Sequence, residues 1–188
     1  MNLVISETSR RTASAAKHAE AAVETLWYGI GECALGQVLV ARSAAGVCAI
    51  LIGSGHEVLE ADLAARFPHA TLVTNEAVVH DDLVRVIRFA DNPGAGLKLT
   101  LDMRGTPFQR RVWEKLRAIP VATTATYTEL ARWIDPLTSA RAVGSACAAN
   151  PIALAIPCHR IVCNNGDLGG YRWGIERKRE LLRKEAMA

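Results

Sequence analysis

Ser139 to Val162 reads SARAVGSACAANPIALAIPCHRIV, and the organisation of the chain follows from this stretch. After Asp135-Pro136 a helix is expected from about Ser139 to Asn150, with Pro151 next, where a helix must stop. At 100° per residue Arg141, Gly144, Ser145 and Ala148 share one helix face, with Ala140, Val143, Cys147 and Asn150 opposite. Ile152 to Ile156 is apolar throughout and reads as a short buried strand. Pro157 interrupts it, having no N–H to give to a ladder, and Ile161-Val162 resumes it. Cys158-His159-Arg160 is thereby held between rigid apolar neighbours at a break in regular structure. That arrangement positions a reactive side chain. It would also suit an ordinary buried cysteine.

Upstream, Thr106-Pro107-Phe108-Gln109 carries a capping box with proline at the first helical position, and Phe108, Val112, Leu116 and Ile119 form the apolar stripe of a helix closed by Pro120. Thr126-Tyr127-Thr128-Glu129 is a second capping box, opening a helix that buries Tyr127, Leu130, Ala131 and Ile134. Three helices followed by a short strand pair predict a winged helix-turn-helix. In its third helix the face of Gly144, Ser145 and Ala148 is bare except for Arg141. Such a face permits close backbone approach to DNA, with Arg141 the one long side chain able to enter the duplex. It would equally let two helices pack closely.

Downstream, Asn164 to Asp167 is a turn and Gly169-Gly170-Tyr171-Arg172-Trp173-Gly174 a glycine-bounded loop that could clamp a planar ligand or cap a core edge. The final helix is basic. Ile175, Lys178, Leu181, Leu182 and Glu185 fall on its inward side, where the Glu185 carboxylate needs a partner, either His159 or a surface arginine.

Towards the N-terminus, residues 1–24 form an arm rich in Ala, Ser and Thr, either frayed or a short helix. Residues 25–104 read as a small α/β unit without visible chemistry. Leu26–Ile30, Gln37–Ala41 and Val47–Ile52 predict an antiparallel meander, Glu57–Arg66 and Asp81–Phe89 two helices, and Leu97, Leu99 and Leu101 a last strand. The second helix would bury Leu83, Val84, Ile87 and Ala90. Residues 105–188 complete the chain as the winged-helix domain.

The net charge of +3 conceals an asymmetry: residues 1–104 hold 9 Lys/Arg against 12 Asp/Glu, and residues 105–188 hold 13 against 7. A basic second half suggests nucleic acid as the partner. No stretch has the length of a membrane span and no secretory leader is visible, so a cytoplasmic location is expected. Five cysteines without a C-x-x-C pair argue against a disulfide framework or a structural zinc site.

Cys158, His159 and Glu185 supply a nucleophile, a base and an orienting carboxylate. Neighbouring residues on a strand point to opposite faces, so a water bridge between Cys158 and His159 is easier than a direct bond. The motif Ile156-Pro157-Cys158-His159-Arg160-Ile161-Val162 resembles the active-site signature of the O6-alkylguanine-DNA alkyltransferases, the methylated-DNA–protein-cysteine methyltransferases. The resemblance extends, in order and with the family's spacing, over Phe108 to Trp113, Thr126-Tyr127, Arg141-Ala142-Val143, Ala149-Asn150-Pro151, Gly170 to Gly174 and Leu181-Leu182. Residues 25–104 are more loosely similar to the N-terminal domain of the family, above all as found in the C-terminal half of bacterial adaptive-response regulators. Those regulators carry a further zinc-binding domain in front, for which this chain has no room, so repair and not transcriptional activation is carried over.

The resemblance implies a ribonuclease H-like α/β domain before the winged-helix domain, and a monomer that repairs double-stranded DNA containing O6-alkylguanine or O4-alkylthymine in one irreversible turnover, with no cofactor and no metal. Cys158 would accept the alkyl group, His159 deprotonate it through water, Glu185 orient His159, and Asn150 brace the turn. Arg141 would enter the base stack as the nucleotide rotates out, Tyr127 sit near its phosphate, and Gly144, Ser145 and Ala148 lie against the DNA. Tyr171, Arg172 and Trp173 would form the pocket lid. Ile161 and Cys163 depart from the commonest residues of the family, conservatively in bulk. Three other readings stay open on the residues alone: a Cys-His hydrolase, a binder of alkylated bases that does not repair them, and a thiol redox sensor pairing Cys158 with Cys147 or Cys163.

Overall fold

A computed structural model describes residues 23–188; the arm or helix expected for residues 1–24 otherwise lies outside the described residues. β1 (Thr25–Cys33), β2 (Gly36–Ser43) and β3 (Gly46–Gly53) form the expected antiparallel meander. β2 and β3 are rich in Val, Ile, Leu and Ala and mostly buried. α1 (His56–Arg66) follows, with Leu59 and Leu63 buried. The sheet is mixed, not purely antiparallel: β4 (Thr71–Thr74) pairs parallel to β1, giving the order β3-β2-β1-β4. Only four residues long and largely exposed, β4 offers no apolar pattern to read.

α2 (Glu76–Asp91) begins five residues before the expected helix, because Asn75 caps it by accepting from the Val78 N–H. Its buried face also differs in phase: Val79, Asp82, Leu83, Val86, Phe89 and Ala90 are inside, while Val84 is exposed. Leu97 and Leu99 pack against the core without pairing, and only Leu101 bridges to Val47, so the expected strand there is an extended linker.

Beyond it come α3 (Pro107–Arg117), β5 (Ala125–Thr126), α4 (Tyr127–Ile134) and α5 (Ala140–Ala148). The capping boxes of Thr106 and Thr126 both form. The Trp113 indole N–H donates to the Ala146 carbonyl at 2.9 Å, tying α3 to α5. The expected strand pair after the three helices has a different construction. β6 (Ile161–Val162) pairs with β5, which precedes α4, and the pairing is parallel, so it cannot be a hairpin. Ile152 to Ile156 is likewise mostly turn, Ile152 alone bridging to Ile50 of β3. α6 (Ile175–Glu185) closes the chain with Lys178, Leu181 and Glu185 buried and Ile175, expected inside, exposed. One apolar cluster runs from Val38 and Ile50 through Val112 and Val143 to Leu181, so the sheet and the helices share a core.

Candidate active site

The turn from Asn150 to Cys158 is fixed from two directions. Asn150, fully buried, donates to the Ile156 carbonyl at 2.9 Å and accepts from the Ile152 N–H at 2.8 Å. One side-chain amide thus spans the loop and satisfies backbone groups that a buried loop would otherwise leave unpaired. From the other side β3 grips it: Ile50 N–H donates to Pro151 O and Ala153 N–H to Ile50 O, both at 3.0 Å. Between these anchors Leu154 has φ of 66°, a left-handed conformation costly for a branched side chain and tolerated where surrounding contacts over-determine it. Cys158 then opens a single 3₁₀ turn, Cys158–Arg160.

Cys158 Sγ lies 3.5 Å from Asn150 Nδ2. Burial pushes its thiol up to about 11, although the Asn150 hydrogen bond and the Lys178 ammonium act to lower it, so the resting group is a thiol. His159 Nε2 is 2.8 Å from Glu185 Oε1, with both side chains fully buried. A carboxylate only accepts, so Nε2 carries the proton and Nδ1 is left as an acceptor without a protein partner. Burial lowers the imidazole pKa against the raising effect of Glu185, which keeps the ring neutral and able to take a proton.

Glu185 is held by His159, one of the two partners expected for it, and by an arginine that differs from the surface arginine expected as the other. Arg160 Nε reaches Oε2 at 3.0 Å and Nη2 reaches Oε1 at 2.8 Å, while Nη1 donates to Ile119 O. Desolvation alone would raise this carboxyl, but hydrogen bonds from His159 and Arg160 outweigh it and hold it at about 2. The arginine is not a surface residue but the third member of the Cys-His-Arg triplet, 5% exposed.

Tyr127, Gly144, Cys147, Ala148, Cys158 and Tyr171 line a cavity of about 180 Å³, and Gly170 and Arg172 complete its lining. Burial raises the Tyr127 phenol to about 12, so it remains a donor. Arg141, Ser145 and Ala148 are exposed on α5 beside this opening, on the face the sequence marked as bare. Trp173 is the exception among the lid residues. It does not line the cavity but is buried behind Tyr171, the rings edge-on at 5.2 Å. Arg172 lines the cavity and donates to Asp62 of α1 at 2.8 Å.

Three residues take part that were not among the expected site residues: Arg160, Cys147 and Lys178. Lys178 is fully buried and its ammonium donates to the carbonyls of Ile161 and Leu168, joining the strand after Cys158 to the start of the lid loop. Its inward position on α6 was the available signal, since a buried ammonium must find acceptors. Among the described residues no cluster of three or more His, Cys, Asp or Glu is gathered as a metal site, and no helix is long and apolar enough to cross a membrane.

Residues 107–187 match the family model described as the DNA-binding domain of 6-O-methylguanine DNA methyltransferase. The bifunctional transcriptional activator/DNA repair enzyme Ada of Escherichia coli is 45% identical over 159 residues, covering 85% of this chain and 45% of that protein. The chain therefore spans about half the length of the first curated relatives it matches. The inducible methylated-DNA–protein-cysteine methyltransferase of Bacillus subtilis is 36% identical over 123 residues, which cover 65% of this chain and 69% of that one. Among solved structures, the Mycobacterium tuberculosis OGT in complex with DNA superposes with a TM-score of 0.71 at 28% identity, over 86% of this chain and 93% of that one.

Proposed function

The chain belongs to the methylated-DNA–protein-cysteine methyltransferase family, and from that premise we propose that it repairs duplex DNA by taking the alkyl group of O6-alkylguanine, and of O4-alkylthymine, onto Cys158. The observation that carries this reading is the cavity itself. Cys158, with Cys147 beside it, faces two tyrosines in a space that opens beside the exposed, arginine-bearing face of α5.

A base stacked in a duplex cannot reach a thiol 7% exposed, so the nucleotide must rotate out, at a cost of a few kcal/mol. Arg141 fills the gap it leaves, and the small residues Gly144, Ser145 and Ala148 allow the backbone to approach. Neutral His159, with Glu185 fixing its tautomer, accepts the Cys158 proton through water. The thiolate sulfur attacks the alkyl carbon, a carbon–sulfur bond forms as the carbon–O6 bond breaks, and guanine leaves with the electron pair. Tyr127, protonated at the wall of the same cavity, sits near the phosphate of the rotated nucleotide, and the departing base recovers a proton overall. The thioether product has no hydrolytic route, so each molecule reacts once. No cofactor or metal enters the scheme.

Under this proposal residues 25–104 are a ribonuclease H-like domain that braces the turn through β3, and residues 105–188 a winged-helix domain that carries the DNA face. The protein acts as a monomer in the cytoplasm. The decisive experiment is intact mass after mixing with a duplex containing O6-methylguanine: one methyl gained, located at Cys158, and none in Cys158→Ala. An unchanged mass at stoichiometric substrate would end the repair reading. Arg141→Ala should slow repair of duplex DNA far more than reaction with free O6-benzylguanine; equal losses would remove Arg141 from the base stack.

A further inference from the structure

Residues 25–104 carry six Lys and Arg side chains, Arg42, Arg66, Arg85, Arg88, Lys98 and Arg104. Arg42 pairs with Asp82, Arg66 with Asp62, and Arg104 with Glu24 and Asp102. The remaining three, Arg85, Arg88 and Lys98, have no carboxylate partner among the described residues, and all three line the same pair of adjoining hollows. One is walled by Arg85, Arg88 and Lys98, and the next by Arg85, Lys98 and Arg117 of α3. No acidic residue lines either hollow. In a unit with more acidic than basic residues, every unpaired cation has been gathered onto one groove.

Arg88 and Arg117 lie in the last turns of α2 and α3, where a cation complements the helix dipole. Arg85 and Lys98 have no such reason to be there. Like charges crowded without counter-charges repel, and a polyanion removes that repulsion by neutralising them together. The lining offers no aromatic ring for stacking, so the chemistry is that of a phosphate backbone read without regard to sequence. At its inner end the groove runs into a third hollow, lined by Arg117 with Leu154, Ala155 and Pro157. The cavity in front of Cys158 shares no lining residue with any of these hollows. Groove and cavity therefore approach the turn before Cys158 from different sides.

We propose that the groove of Arg85, Arg88, Lys98 and Arg117 binds the phosphates of a second duplex segment while the first is engaged at α5. The inference takes from the proposed function only that the first ligand is duplex DNA. The full-length chain is saturated with a short duplex containing O6-methylguanine, and a labelled undamaged duplex is then titrated in, followed by anisotropy across a salt series. The second duplex is expected to bind, and the triple variant R85A/R88A/K98A to bind it at least ten-fold more weakly. The slope of log affinity against log salt should fall by about 0.9 for each phosphate that the variant no longer neutralises. Methyl transfer from the short duplex should stay within two-fold of the parent, and R85K/R88K should keep second-duplex binding.

Absence of second-duplex binding in the parent, or its survival in the triple variant, overturns the proposal. So does an equal loss of methyl transfer, which would assign the cations to the first duplex. Loss of binding to phosphatidylserine vesicles with second-duplex binding intact would give the groove to a membrane surface instead. A chain that binds two duplexes but never gains a methyl would refute the repair reading and leave this one standing.

Discussion

In residues 25–104 the polar side chains with least exposure are Ser43 and Asp82, at 2% and 7%. In residues 105–188, Asn150, His159, Arg160, Lys178 and Glu185 are all between 0% and 5%. The first region buries one charge, Asp82, which pairs with the half-exposed Arg42, and its core is apolar on both faces of the sheet. The second takes three formal charges inside within 26 residues and supplies each with partners. Burying an ion costs several kcal/mol even after relaxation, and a buried pair seldom repays that as stability. Such a cluster therefore marks the place where chemistry, and not folding, has set the choice of residues.

Glu185→Ala tests that contrast most severely. It leaves Arg160 and His159 without their acceptor, and an uncompensated buried charge should cost about 3–5 kcal/mol in urea unfolding. Single-turnover methyl transfer should fall with it. Asp82→Ala, which breaks the more exposed Arg42 pair, should cost about 0–1 kcal/mol and leave transfer intact. Similar losses from the two variants would erase the distinction between the regions.

Asn150→Ala should follow, at about 1–3 kcal/mol, since the Ile156 carbonyl and Ile152 N–H would lose buried partners. It also removes the hydrogen bond that lowers the Cys158 pKa. The pH at which transfer reaches half its maximum should therefore move upward, a change that loss of stability alone would not produce.

Acid should separate the regions by a third route. The folded His159 pKa is lowered, so the unfolded chain binds that proton more readily, and its stabilising effect is present above about 6.5 and lost as pH falls. Glu185, held at about 2 against 4.5 unfolded, contributes above about 4.5 and loses that contribution as pH falls towards 2. Melting temperature should step down through both windows, and Glu185→Gln should lack the lower one. A melting temperature flat from pH 7 to pH 3 would contradict both assignments. Thr106→Ala, which removes the cap of α3, should cost about 1 kcal/mol in unfolding and leave the rate of transfer unchanged.

How far the sequence could be read follows the range of the interactions involved. Capping boxes, the meander and the bare face of α5 depend on residues near one another in the chain, and all were legible. β4 was not, because a four-residue exposed strand is defined by its parallel neighbour β1. The apolar runs at 97–101 and 152–156 alternate or cluster as strands do, yet each makes a single bridge to the open side of β3 and no ladder. In the site, Cys158, His159 and Asn150 were visible as residue types in an unusual context. That Arg160 turns inward to Glu185, and that Trp173 lies behind Tyr171, depends on where α6 docks.

The Ile50–Ile152 bridge has a consequence for how the protein is made. β3 is the margin of the sheet, and Leu101 and Ile152 are what cover its open side. Synthesis delivers Ile152 about a hundred residues after β3, which at about 5–20 residues per second leaves that margin bare for several seconds. An apolar strand without its cover is a template for pairing with another chain. The nascent protein is thus most exposed to misassembly in the interval before the turn that carries its cysteine has left the ribosome.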